Sequence, residues 1–132
     1  MSSYCTVYFD IPDLTQLYNM MYFVEVWKKH EKLGFFEFAK KAERDMHLAH
    51  LKELGIKMSL AIDVAEDNKV SRTHIVISKE ESETIMHGLE FYSNALSAQE
   101  ILHPEKNTKE EIAITREGIS RIIQIITSAD YA

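Results

Sequence analysis

The sequence predicts an α+β fold: about four helices packed with a small three-stranded antiparallel sheet, in one compact domain spanning 1–132. Three observations lead there. The 132 residues include only four glycines and two prolines, so long helices with few tight turns are the natural product. Four windows carry helix-start or helix-period signals. Three short windows, near 4–10, 57–65 and 70–78, read instead as strands. The length suits one hydrophobic core and is too short for two.

Residues 4–10, YCTVYFD, are rich in β-branched and aromatic types and stop just ahead of Pro12, which makes them the first strand. Asp13 with Gln16 has the spacing of a capping box and opens a helix that should run to Gly34. Between Met20 and Trp27 that helix is apolar nearly all round, so it belongs deep in the core or covered on two sides.

A second helix is expected from about Phe35 to Leu54, with Phe35, Phe38, Ala39, Ala42, Met46 and Ala49 on its buried arc and Gly55 as its stop. Beyond it Met58, Leu60, Ile62 and Val64 alternate with smaller or polar residues. EDNK then turns the chain, and THIVIS returns it as a second strand of a hairpin. A helix continuing past Gly55 to Ala65 would also align Leu51, Leu54, Met58 and Ile62. The glycine and the β-branched run favour the hairpin.

Ser78 with Glu81 caps a third helix, which ends before Pro104 and carries the stripe Ile85, Leu89, Tyr92 and Leu96. Gly88 lies toward that stripe, where a missing side chain lets another element approach. Thr108 with Glu111 caps the fourth helix, which ends near Ser128. Its isoleucines, Ile112, Ile114, Ile119, Ile122, Ile123, Ile125 and Ile126, spread over roughly half the circumference, against about 100° for a helix lying on one core. That excess can pack inside the subunit or face a second copy of the chain. A small domain has little interior to offer, which favours a homo-oligomer with Ile112, Ile119, Ile122, Ile123 and Ile126 at the interface.

Composition excludes several classes. Hydrophobic residues at 45% and charged residues at 27% exclude wholesale disorder. A net charge of −6 with no basic run argues against direct nucleic-acid binding, which draws its affinity from neutralised phosphates. An acidic surface suits a basic protein partner, or serves only solubility, which is the commoner case. Cys5 is the single cysteine, so no internal disulfide framework exists. The start lacks a basic segment followed by a long apolar one, and MMYFVEVW is far short of a membrane span. A cytoplasmic protein without a membrane segment is expected.

Two constellations are candidates for chemistry. In ERDMHLAH, Glu43, His47 and His50 stand at i, i+4 and i+7 and share one side of a helix. Two imidazoles and a carboxylate are a ligand set for Zn or Fe, and Glu83, His87 and Glu90 form a similar row on the third helix. The hydrophobic pattern turns that second row toward solvent, and no cofactor is the favoured expectation. The same window is loosely similar to the arginine–polar…histidine signature of HEPN-type ribonucleases, through Arg44, Asp45 and His50. On a helix Arg44 and His50 diverge by over a quarter turn, and that family is all-helical, so the similarity is set aside. Arg116, Arg121 and Gln124, on the polar side of the last helix, are the residues able to clamp a carboxylate or phosphate. With no catalytic motif in view, the expected function is that of a small acidic protein-binding factor, an adaptor, inhibitor or immunity-type protein. The alternatives are a helical metal-binding enzyme or sensor, or a small-anion-binding protein with a pocket between subunits.

Overall fold

A computed structural model describes residues 3–27 and 41–129. In chain order these form β1 (Tyr4–Asp10), α1 (Ile11–Trp27), α2 (Lys41–Asp67), β2 (Arg72–Ser78), α3 (Lys79–Leu102) and α4 (Lys106–Thr127). The fold is α+β, mostly helical, with a sheet of two strands in place of the three expected.

The missing strand is the second half of α2. Residues 57–65 continue the helix through Gly55, and Leu51, Leu54, Met58, Ile62 and Ala65 are its buried apolar residues. Their spacing follows the helical period, and burial along it outweighs the single weak helix former. The predicted arc for the start of this helix is also wrong. Ala42, Met46 and Ala49 are exposed and His47 is buried. Phe35, Phe38 and Ala39 lie outside the described residues, as does the expected extension of the first helix to Gly34.

β1 and β2 pair antiparallel with Tyr4 opposite Ser78, Val7 opposite Ile75 and Asp10 opposite Arg72. Val7, Phe9, Ile75 and Ile77 point into the core, and Tyr4, Tyr8 and Val76 point out, as strand alternation requires. β1 passes directly into α1, with Pro12 in the first turn, where its missing N–H costs nothing.

α3 begins where the sequence places it. Ser78 Oγ accepts from the Glu81 N–H, and Glu81 returns its carboxylate to the Ser78 N–H, each at 3.0 Å, a complete capping box. α4 begins at Lys106, ahead of the expected Thr108 cap, and its N-cap residue Glu105 makes no side-chain capping bond. The buried side chains form one contiguous cluster drawn from all six elements. Gly88 faces Met21 of α1, where an added Cβ would lie 2.8 Å from Met21 Cε, so the close approach expected at that position is made.

Candidate functional site

The isoleucines of α4 are the first predicted site to place. Ile112, Ile119, Ile122 and Ile126 are buried within the subunit, and Ile123 is half-buried against the same cluster. α4 packs on α3, α1 and β1, which takes up most of its wide apolar arc and leaves Ile114 68% exposed. Four of the five residues expected at an interface are thus buried within the subunit and Ile123 lies at the edge of its core; further open apolar surface lies elsewhere.

The expected anion clamp is divided. Arg121 donates to Asp13 Oδ1 from Nη2 at 3.2 Å, which ties α4 to the start of α1. Arg116 turns to α3 and donates to Ser93 Oγ at 2.9 Å and Ser97 Oγ at 2.8 Å. Gln124 is exposed. The three do not form one site.

The histidines do meet, around a residue that the sequence reading passed over. His47 Nδ1 lies 2.6 Å and His50 Nδ1 3.1 Å from Thr84 Oγ1, across the contact of α2 and α3. The His87 ring stands 5.2 Å from that of His47. Thr84 Oγ1 also lies 3.2 Å from the Glu80 carbonyl, to which it donates. A hydroxyl has one proton and two lone pairs, so both imidazoles then donate to it from Nδ1. Two rings whose Nδ1 atoms converge on one oxygen carry their Nε2 atoms on the far sides. This is the reverse of a shared metal site, which needs nitrogens about 2 Å from a common point. Glu43 stays exposed on the surface. Among the described residues no three His, Cys, Asp or Glu side chains gather in a group that could hold a metal ion.

Burial pushes the His47 pKa below its ordinary value of 6.5, and the neighbouring His87 and His50 push it the same way, against the opposing pull of Glu43 and Glu83. His47 is therefore held toward its neutral form at a polar contact that joins two helices.

Open apolar surface is found instead between α1 and α2. Tyr18, Met21 and Tyr22 on one side and Leu51, Gly55, Ile56, Ser59 and Leu60 on the other line a groove of about 500 Å³. Ile56 is 65% exposed, Leu60 62% and Tyr22 62%. Val64 and Val26, one turn further along each helix, are exposed as well. At 100° per residue Leu60 lies about 160° around α2 from Met58, so this helix has two apolar faces, one in the core and one in water. Glu25, Lys52 and Asp63 stand among the lining residues. Gly55 is the unusual member of the floor. A Cβ added there would meet nothing within 4 Å, so core packing does not require glycine. In the interior of a helix glycine costs roughly 0.5–1 kcal/mol relative to alanine, and here its visible effect is to widen the groove.

The sequence reading missed the α2 side of this groove because it ended the helix at Gly55. Had α2 been continued, Ile56, Leu60 and Val64 would have stood opposite the core stripe. Set beside known proteins, the chain matches no family, no curated protein and no solved structure. No helix among the described residues is long and apolar enough to cross a membrane.

Proposed function

We propose that this protein is a small acidic protein-binding factor whose binding surface is the α1–α2 groove. The observation that carries the reading is the stripe Ile56, Leu60 and Val64, which continues along the outside of a helix whose other face already supplies the core. Contiguous exposed apolar surface beside a concavity is characteristic of interaction sites. Tyr22 at the rim is the residue type that most often anchors an interface. The partner that fits presents apolar side chains at helical spacing to the groove and basic side chains to its edges, matching Asp63 and the net charge of −6. An adaptor, inhibitor or immunity-type role is compatible with this surface, and the partner's identity decides among them.

The test is quantitative affinity capture from the native host with the wild-type chain and with Leu60→Glu, after both have been shown to unfold at the same temperature. Leu60 contributes nothing to the core, so the variant should fold normally. Proteins captured by the wild type and lost with Leu60→Glu are expected. Identical capture profiles would remove the groove from consideration.

A further inference from the structure

β1 has one edge on β2, and its other edge meets no strand among the described residues; the ladder itself tells which backbone groups lie on each. Ser3 O accepts from Lys79 N at 3.1 Å and Ile11 N donates to Ser71 O at 3.0 Å, at the two ends of the pairing. Hydrogen-bonded pairs alternate in an antiparallel ladder, so Cys5–Ile77, Val7–Ile75 and Phe9–Thr73 are the bonded pairs between those ends. The N–H and C=O groups of Tyr4, Thr6 and Tyr8 therefore point away from β2. Among the described residues they find only the Cys5 thiol, 3.5 Å from Thr6 O.

The far edge of β2 is treated differently. Lys57 Nζ donates to Val76 O at 3.1 Å, and the Ser78 N–H donates to Glu81 Oε1 at 3.0 Å. Edge strands are normally blunted by lysine, proline or a bulge. From Tyr4 to Phe9 there is no charged residue and no proline, and the register runs without interruption.

We propose that the open edge of β1 pairs antiparallel with β1 of a second copy about a two-fold axis, joining the two sheets into one. Unpaired groups in strand geometry are a template for another strand, and each copy carries the same row without a backbone partner among the described residues. Lys57 and Glu81 occupy two of the outward groups of β2, so among the described residues β1 is the freer edge and the one that joins. A single joining edge gives a closed dimer and no fibre.

The parity of the ladder restricts the register. Tyr4, Thr6 and Tyr8 must meet residues of the same set, so Thr6 opposite Thr6, Tyr8 opposite Tyr8, or Thr6 opposite Tyr8 are the central choices. The first places Tyr4 against Tyr8 of the partner subunit twice, on the exposed outer face, where cross-strand aromatic pairs are favourable. The other two bring Asp10 opposite Thr6 or Tyr4, and the structure assigns the first. On the inner face Ile125 of α4 and the following Ser128 and Ala129 line a groove of about 460 Å³ along β1. Small Ser128 and Ala129 leave room for the same helix end of the partner subunit, and half-buried Ile125 gains cover.

This surface shares no residue with the α1–α2 groove and does not rest on that reading. Sedimentation analysis of the full chain at micromolar concentration tests it. The wild type should be a dimer. Thr6→Pro removes a donor from the open edge and none from the β1–β2 ladder, and should give a monomer with unchanged far-UV circular dichroism. Should that variant misfold, Thr6→Lys sets two like charges across the axis and should also give a monomer. In a Cys5→Ser background, Thr6→Cys should oxidise to a covalent dimer, since facing residues of a bonded pair stand about 5.5 Å apart at Cα. A monomeric wild type, or a dimer that survives Thr6→Lys, overturns the proposal. So does a dimer lost with Leu60→Glu and kept with Thr6→Lys, which would seat the second copy in the α1–α2 groove.

Discussion

Lys57 Nζ lies 2.8 Å from Oε1 and 2.9 Å from Oε2 of Glu81, a carboxylate only 4% exposed as a residue. Through this pair α2 grips the first turn of α3, and the same ammonium holds the Val76 carbonyl of β2. Glu81 also closes the capping box, so one buried carboxylate serves a helix start and an ion pair.

Removing the ammonium leaves that carboxylate with the Ser78 N–H as its remaining donor among the described residues. Lys57→Met should destabilise the fold by about 1–3 kcal/mol, at the low end of buried-pair losses because the lysine is partly solvated. Pairing it with Glu81→Gln should recover part of the loss. Urea denaturation of the three variants measures both.

His47 gives the stability a pH dependence of known sign. Its folded-state pKa lies below 6.5, through burial first and then through His87 and His50. As pH falls below 6.5 the unfolded chain takes up a proton that the folded one refuses. Stability therefore drops there, and this contribution levels off once pH passes below the folded value. Above 6.5 both states are neutral at this group and the contribution is flat. Urea midpoints recorded from about pH 8 to about pH 5 should show the fall, and His47→Gln should reduce it. A slope unchanged in the variant would assign the effect to other groups.

Ile122 is fully buried at the centre of α4's packed face. Ile122→Ala should cost about 2–5 kcal/mol by leaving a cavity, with no change in the number of subunits. Calorimetry and light scattering on the same sample check the two halves of that statement. A lost dimer with little lost stability would restore the isoleucines to an interface.

Gly55→Ala should stabilise the chain by about 0.5–1 kcal/mol, because a methyl group there replaces a poor helix former and meets no neighbour. Thermal unfolding measures the gain. The same methyl narrows the α1–α2 groove, so partners captured through Leu60 should bind Gly55→Ala more weakly than the wild type.

Local signals were legible. The Ser78–Glu81 capping box, both strands of the observed sheet, the end of α3 before Pro104 and the close approach at Gly88 all follow from residues within a few positions of one another. What misled the reading was a helix with two apolar faces. Met58 and Ile62 are buried while Leu60 and Val64 are more than half exposed, and a core face interleaved with a water-facing one imitates the alternation of a strand. The residues that spoiled the secondary-structure assignment are the ones that make the groove. Thr84 was illegible for another reason: its place between His47 and His50 depends on how two distant helices pack, which no local spacing records.

The sheet joins the first described strand to one that arrives only after α1 and α2 have been made. Closing so long a loop is slow beside the formation of helices. On a growing chain β1 must therefore leave the ribosome and wait, with both of its sides bare, until Arg72–Ser78 emerges. During synthesis β1 therefore stands without its β2 partner for the time it takes to make α1 and α2.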